Sequence, residues 1–307
     1  MKHFLKKILI FIIPITILLF SGLFIKPTPR SLGSFLFADI KKDSLLQNTT
    51  EPRIIFVGGS NLSFGLNSYE IRDSLKLNPV NTAINVSLGL KYMLQNTLPY
   101  LKKGDTVVLA PEYEVYYEDY NVASEELLRT IFDAAPGKIK YLSSGQCIRL
   151  LQYVPKFSLT KFDPSEYWGF KESDIYSVNS FNNFGDVQAH WTLPDRPYKP
   201  SGLEGDFNTN VISKLKEFEQ AATNAGACVY LTFPCMDLAS YNISKEKVLQ
   251  VEEKLRMNNF KLLGNAGKYI LPEDMMFNTK YHLNKKGVQY RTKLLIEDFK
   301  TARNQNG

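Results

Sequence analysis

Apolar, β-rich runs alternate with helical patterns over most of this 307-residue chain, and this alternation constrains its fold more than any other feature. Strands are predicted at residues 53–58, 80–86, 106–110, 227–233 and 269–271. Helical patterns fall between them, at residues 68–77, 90–101, 124–134, 137–151, 208–224, 244–257 and 284–302. Strands that alternate with helices form a parallel, doubly wound sheet. We therefore expect an α/β fold.

The N-terminus carries a charge-free stretch of 18 residues, 8–25, which follows Lys2, Lys6 and Lys7. A helix of that length reaches about 27 Å, close to the thickness of the hydrocarbon core of a bilayer. Because lysines stay on the cytoplasmic side, everything after residue 26 is predicted to lie outside the cytoplasm. The alternative is a cleaved signal peptide, but no clear A-x-A site follows the apolar run. The sequence favours a single-pass membrane anchor.

Three segments are predicted along the chain. Residues 1–26 are the cytoplasmic flank and transmembrane anchor, residues 27–52 a proline-containing polar stalk, and residues 53–307 the α/β domain. Within the domain, residues 155–207 are rich in proline and aromatic residues and break the alternation. We expect them to form an irregular, aromatic-rich insertion over one edge of the sheet.

The net charge of +6 arises mainly from the N-terminus. Residues 1–26 hold four lysines and no acidic residue, which leaves 33 basic and 31 acidic residues in the rest of the chain. No basic cluster stands out after residue 30, so nucleic-acid binding is not expected.

A serine follows the first predicted strand, where Gly58 and Gly59 end the apolar run before Ser60. Open α/β sheets bind ligands beyond the carboxyl ends of their strands, and glycines allow a tight turn there. Beside a helix N-terminus, the amides of Ser60 and Asn61 can face a developing negative charge. The alternative is a glycine turn whose serine merely caps a helix.

The chain has three histidines, and His3 belongs to the cytoplasmic flank. A histidine base for Ser60 must therefore be His190 or His282. His282 is better placed, in a turn just before the last helix, although it can also be an ordinary surface residue. His190 lies in the insertion beside Trp191, where it either packs as a structural residue or lines a substrate cleft.

These motifs resemble the SGNH/GDSL hydrolase superfamily over about residues 53–300. Residues 59–61 resemble the first block, in which the serine is the nucleophile. Residues 85–89 resemble the second, whose glycine amide, here that of Gly89, helps to form the oxyanion hole. Residues 278–284 resemble the last block, which carries the histidine. The closer likeness is to a membrane-anchored bacterial envelope branch that includes relatives of the D-alanylation and alginate O-acetylation proteins.

Two positions depart from the superfamily pattern. Where the third block normally supplies an asparagine, the chain has Glu112 within residues 110–114, a form similar to the envelope branch. Where an aspartate normally precedes the histidine, the chain has Asn278, and Asp274 is a second candidate for that role. An asparagine can orient an imidazole, but it does not stabilise the imidazolium as a carboxylate does.

The resemblance implies a flavodoxin-like SGNH fold and an extracytoplasmic serine esterase or O-acyltransferase that acts on an acyl ester of a cell-envelope glycan. Ser60 would attack the ester, His282 would accept its proton, and Asn278 or Asp274 would orient His282. The amides of Ser60 and Gly89, with the side chain of Asn61, would hold the oxyanion, and no metal or organic cofactor is expected. Further candidates for contacts with the oxyanion or substrate are Glu112, Asp186 and His190.

A second, non-catalytic function also fits the sequence. With Asn278 in the place of an aspartate, the domain can be a catalytically impaired glycan-binding or scaffolding partner of a membrane acyltransferase. A purely structural role in the envelope is the third alternative. The expected partners are an envelope polysaccharide or an acyl donor, and a membrane-bound O-acyltransferase in the second case.

Overall fold

The computed structural model describes residues 2–306. The strands are β1 (Arg53–Gly58), β2 (Asn78–Asn81), β3 (Thr106–Ala110), β4 (Cys228–Thr232), β5 (Met236–Asp237), β6 (Leu262–Leu263) and β7 (Ile270–Leu271). The α-helices are α1 (Lys2–Ser21), α2 (Pro29–Gly33), α3 (Ala38–Asn48), α4 (Ser60–Ser63), α5 (Ser68–Leu75), α6 (Leu90–Thr97), α7 (Glu125–Arg129), α8 (Ser144–Leu150), α9 (Val154–Thr160), α10 (Thr209–Asn224), α11 (Leu238–Met257) and α12 (Lys285–Asn306).

Five strands form a parallel sheet in the order β2-β1-β3-β4-β6, which confirms the predicted α/β class. In register, Ile55 of β1 lies between Val80 of β2 and Val107 of β3, and Val107 in turn pairs with Val229 of β4. Strands β5 and β7 pair separately in a small parallel sheet.

The sheet is covered by helices on both faces. Ile55 and Val57 point into a core shared with α6, α10 and α11. Ile54 and Phe56 point the other way, into a core shared with α5 and α12. A strand that is buried on both faces reads as a continuous apolar run, which is why β1, β3 and β4 are easy to recognise in the sequence.

The weaker strands differ from their predicted bounds. Strand β2 starts earlier than the predicted residues 80–86 because Asn78 already pairs with Arg53 of β1. It also ends earlier, because the chain leaves the sheet after Asn81 and then turns at residues 86–88. The predicted strand at residues 269–271 forms β7 and pairs with β5 outside the main sheet. The fifth strand of the main sheet is β6, which has two residues and is too short to give a periodic signal.

Helix α1 confirms the predicted apolar N-terminal helix. It is long and apolar enough to cross a membrane, and most of its surface is exposed. Its C-terminal end meets α9, where Gly22 lies so close to Ser158 that a Cβ would come within 2.3 Å of the Ser158 Cα.

Residues 27–52 differ from the stalk that the sequence predicts, because they fold onto the domain as α2 and α3. Leu36, Ala38 and Leu46 are buried in the core of the domain. One of the prolines in this segment, Pro29, in fact occupies the first position of a helix: it begins α2, which the Thr28 side chain caps.

The insertion lies along the free edge of β2. The Asn81 N–H of β2 donates to the Phe184 carbonyl over 2.8 Å, and the Val187 N–H donates to the Ser63 carbonyl over 2.8 Å. The side chain of Asp186 accepts hydrogen bonds from Ser68 and Asn81. These bonds seat the insertion beside the turn that carries Ser60.

Candidate active site

Ser60 begins α4 directly after the carboxyl end of β1, two residues beyond Gly58. Both glycines are required by close contacts. A Cβ on Gly58 would lie 2.5 Å from the Ala110 carbonyl oxygen, and one on Gly59 would lie 2.7 Å from the Glu112 Oε1. The backbone of the turn therefore passes directly against the end of β3.

Glu112 is the hydrogen-bond partner of Ser60. The Ser60 hydroxyl donates to the Glu112 Oε1 over 3.1 Å, and the Asn61 N–H donates to the same oxygen over 2.9 Å. Glu112 is buried and follows β3 by way of Pro111. The parallel register pairs Gly58 with Ala110, the last residues of β1 and β3. Ser60 and Glu112 each follow two residues later, and this register therefore brings them together.

The charge state of Glu112 is set by its surroundings. Burial raises the pKa of Glu112 to about 7, and the neighbouring Glu114 carboxylate adds to the increase. The hydrogen bonds from Asn61 and Ser60 oppose it, because they favour the ionised form. Glu112 thus exchanges its proton in the neutral pH range, where a general base works best.

His282 is oriented by Asn278. Its Nδ1 lies 2.8 Å from the Asn278 Oδ1, and the Asn278 Nδ2 donates to the Tyr176 hydroxyl over 2.9 Å. A carboxamide oxygen only accepts, so Nδ1 carries the hydrogen and Nε2 is left as an acceptor. The imidazole also stacks on Phe64, with ring centroids 4.1 Å apart.

His282 is a weak base in this position. Burial lowers the pKa of His282 to about 3, and the nearby His190 lowers it further. The imidazole is therefore neutral at physiological pH, and within residues 2–306 its hydrogen-bond partner is an amide, not a carboxylate that would stabilise a positive charge.

Ser60, Glu112, Asn278 and His282 all line one cleft of about 590 Å³. Its other lining residues are Val86, Ser87, Glu114, Glu118, Val122, Ser124, Tyr198, Lys199, Ser201, Thr279, Lys280 and Tyr281. Within residues 2–306 no hydrogen bond joins Ser60 to His282, because the hydroxyl of Ser60 donates to Glu112 instead. The cleft thus brings together the predicted serine and histidine, although the two side chains do not bond to each other.

The predicted oxyanion donors at Gly89 and Asn61 are engaged elsewhere. The Gly89 N–H donates to the Val86 carbonyl over 2.8 Å. The Asn61 Nδ2 donates to the Ala110 carbonyl over 3.0 Å, and the Asn61 Oδ1 accepts from Arg291 over 3.1 Å. Of the predicted donors this leaves the N–H of Ser60, which as the first residue of α4 has no partner within its helix.

Asp274 does not take part in the site. Its carboxylate is exposed and forms an ion pair with Lys286 over 2.5 Å. The choice between the two candidates for orienting His282 therefore falls on Asn278, which contacts the imidazole directly.

Asp186 and His190 are structural residues that do not line the cleft. Asp186 is buried in the hydrogen bonds that seat the insertion, because its carboxylate needs the donors that Ser68 and Asn81 supply. The His190 Nε2 donates to the Leu283 carbonyl over 2.9 Å, and its ring packs between Phe64 and Phe277.

The sequence did not identify two further features of the cleft. Glu114 forms an ion pair with Lys280 over 2.6 Å and accepts from the Tyr281 hydroxyl over 2.6 Å. Lys280 and Tyr281 directly precede His282 in the sequence, and this position could have indicated that they line the same cleft. Tyr198 comes from the irregular insertion, where no pattern marked it, and its buried hydroxyl has no hydrogen-bond partner among the described residues.

Comparisons of this chain with models of protein families, with curated proteins and with solved structures found no match. Within the described part of the chain, no group of three or more His, Cys, Asp or Glu side chains is arranged to hold a metal ion.

Proposed function

We propose that this chain is a membrane-anchored, SGNH-like serine esterase or O-acyltransferase that acts outside the cytoplasm on an acyl ester of an envelope glycan. The observation that carries the proposal is the Ser60 hydroxyl, which donates to a buried carboxylate in the cleft that also holds the His282–Asn278 pair. The sheet order supports it as well: numbered within the main sheet alone, the strands run 2-1-3-4-5, as in flavodoxin-like folds.

Glu112 is the acceptor of the Ser60 proton in this proposal. It already contacts the Ser60 hydroxyl, and its pKa of about 7 lets it take up and release a proton at neutral pH. His282, with a pKa lowered to about 3, holds a proton poorly. Ser60 Oγ then bonds to the acyl carbon, and the departing sugar oxygen takes the proton back from Glu112.

His282 acts in the second half of the reaction. Because its Nδ1 hydrogen is held by Asn278, its Nε2 is free to accept a hydrogen bond from an incoming water or sugar hydroxyl. That hydroxyl attacks the carbon of the acyl-serine while its hydrogen turns from His282 to Glu112, and the bond between that carbon and the Ser60 Oγ breaks. Glu112 then passes the proton to the Ser60 Oγ, so the serine hydroxyl is restored. Water as the acceptor gives hydrolysis, and a sugar hydroxyl gives transfer.

A sugar unit suits the cleft in size and chemistry. A volume of about 590 Å³ lies within the usual range for small-ligand sites. Hydroxyl side chains of Ser87, Ser124 and Thr279 line it, and the Tyr198 hydroxyl has no hydrogen-bond partner in the part of the chain that the structure describes. A buried donor of this kind is satisfied by a hydroxyl-rich ligand.

The test is covalent labelling of the full-length chain by a fluorophosphonate, with Ser60→Ala as the control that removes the label. We expect labelling to become faster as pH rises through about 7, because the ionised form of Glu112 accepts the serine proton. Glu112→Gln should slow labelling by about 100-fold or more and abolish this pH dependence. Absence of labelling in a folded wild-type chain would overturn the catalytic proposal.

A second candidate function is a non-catalytic glycan-binding or scaffolding partner of a membrane acyltransferase. The engaged amides of Gly89 and Asn61 favour it, because they leave few donors for an oxyanion. This function predicts binding of an acylated glycan by a chain that the fluorophosphonate does not label. In that case Tyr198→Phe should weaken binding while Ser60→Ala leaves it unchanged.

A further inference from the structure

Large apolar side chains are exposed where α1 joins the domain. Phe24 is 88% exposed, Trp168 73%, and Leu159 and Phe162 50% each. These four residues are called the exit collar below. Exposed apolar residues are common singly, but a group beside a candidate membrane helix calls for a physical reason.

Contacts on both sides hold the exit collar against the end of α1. The Thr28 hydroxyl donates to the Glu166 carboxylate over 2.8 Å, and Lys161 donates to the Lys26 carbonyl over 3.4 Å. Gly22 also contacts Ser158 of α9. Together these contacts place residues 22–28, which follow α1, alongside residues 158–166. The exit collar therefore lies at the same depth in a membrane as the C-terminal end of α1.

If α1 crosses a membrane, its length places that level at the edge of the hydrocarbon core. The charge-free part of the helix, residues 8–21, has 14 residues and spans about 21 Å at 1.5 Å per residue. The hydrocarbon core of a bilayer is about 30 Å thick, which leaves roughly 9 Å uncovered. The next turn, Gly22–Phe24, adds about 6 Å and is the segment that packs on α9.

We propose that the exit collar is embedded in the interfacial layer of the outer leaflet, so that the lipid surface is its binding partner. The proposal rests on the assignment of α1 as a membrane helix. Trp is favoured at that depth, where an apolar ring meets a polar boundary, and Phe and Leu accompany it on the apolar side of interfacial segments. Exposed Asp163, next to Phe162, keeps this end of the domain at the headgroup level rather than in the hydrocarbon core.

The consequence is a fixed orientation of the domain. A helix joined to a flexible stalk would let the domain swing freely, whereas residues 27–52 are folded onto the domain and the exit collar adds a second attachment. The cleft of Ser60 is then held at one height and angle above the membrane.

The chain supplies its own fluorescent probe, because its two tryptophans are Trp168 and Trp191. Trp191→Phe leaves Trp168 as the single reporter in the exit collar. Trp168→Phe leaves Trp191, which is partly buried near α12, as the matched control. The full-length variants are reconstituted into phosphatidylcholine vesicles whose acyl chains carry bromine near the glycerol end, and flotation verifies membrane insertion.

We expect bromine to quench at least half of the Trp168 emission and less than a tenth of the Trp191 emission. Phe162→Glu, at an exposed position, should keep the circular dichroism spectrum of the parent and reduce the quenching of Trp168. If the chain floats with the vesicles but Trp168 is not quenched, the proposal that the exit collar is embedded in the membrane is overturned. In that case α1 is still a membrane anchor. A chain that fails to float would instead overturn the anchor on which the proposal rests.

Discussion

One amide oxygen limits the basicity of His282, because Asn278 contacts its Nδ1 without supplying negative charge. We predict that Asn278→Asp raises the pKa of His282, measured by NMR titration, since a carboxylate stabilises the imidazolium. A more basic His282 gives Ser60 a second proton acceptor, and labelling should quicken by about tenfold, equivalent to about 1.4 kcal/mol. Asp274→Asn, at an exposed position paired with Lys286, is the matched control and should change the rate less than twofold.

The two buried histidines make the fold sensitive to acid. Burial lowers the pKa of His282 to about 3 and that of His190 to about 4, below the ordinary value of 6.5. Below pH 6.5 both histidines are protonated in the unfolded chain but stay neutral in the folded chain, so the folded state loses stability as the pH falls. Between pH 6.5 and 4 each histidine contributes a slope of about 1.4 kcal/mol per pH unit.

We therefore expect His190→Gln, whose amide can still donate to the Leu283 carbonyl, to weaken this acid dependence. Urea denaturation at pH 6.5, 5.5 and 4.5 would measure it. As the pH falls, the free energy of unfolding of the variant should decrease less steeply than that of the wild type. The difference between the two slopes should be about 1.4 kcal/mol per pH unit, the contribution of one proton. Parallel curves for the two proteins would show that His190 does not titrate as its burial implies.

At the scale of elements, a buried lysine ties three segments together. Lys42 of α3 donates to the Asn81 carbonyl at the end of β2 over 2.8 Å, and it also donates to the Gly185 carbonyl in the insertion. Burial lowers the pKa of Lys42 to about 7, an effect that the charge of Asp186 opposes. The insertion is thus fastened to the sheet edge and to α3 by the same group.

Gly185 tests that attachment. Its φ is +94°, and a Cβ there would lie 2.2 Å from the Asn81 carbonyl oxygen. We predict that Gly185→Ala frees the insertion from β2 and speeds limited proteolysis within residues 155–207 by at least tenfold. Gly169→Ala is the matched control, because Gly169 also has a positive φ, +71°, but its Cβ would meet no atom of residues 2–306 within 4 Å. It should cost only the conformational strain of about 1–2 kcal/mol.

The sequence predicted the elements that carry their signal locally. Strands β1 and β3 were predicted at their observed bounds because each is an apolar run closed by glycine, proline or polar residues. Strand β6 was missed because its two residues are defined by pairing with Leu231 and Thr232 of β4, a long-range contact. Residues 27–52 were misjudged because a proline at a helix start, such as Pro29, cannot be told by composition from a proline of a linker.

The same division applies to the site. Ser60, Asn278 and His282 were predicted from short motifs, and they share the cleft. That Glu112 bonds to Ser60 depends on the register of β1 against β3, which composition does not encode. The Gly89 N–H donates to the Val86 carbonyl only because the turn at residues 86–89 is tight. Such contacts emerge only when the fold is assembled.

At the scale of the whole molecule, residues 27–52 decide where the folded domain begins. Leu36 and Leu46 are buried in the main core, and Asp39 pairs with the mostly buried Lys138. A domain that starts at Arg53 would expose that core, and it would leave Lys138 without Asp39. Each lost leucine costs about 1.5–3 kcal/mol, and an unpaired buried charge costs about 3–5 kcal/mol more.

We therefore predict that two truncations behave differently. Deletion of residues 2–21 removes only the exposed helix α1 and its end contact with α9, so thermal unfolding should stay cooperative, with a midpoint within a few degrees of that of the full-length chain. Deletion of residues 2–52 should abolish cooperative unfolding, because the expected loss approaches the 5–15 kcal/mol total stability of a typical domain. Differential scanning calorimetry in detergent, with all three chains in the same buffer, measures the difference. Equal midpoints for both truncations would mean that residues 27–52 are a stalk after all.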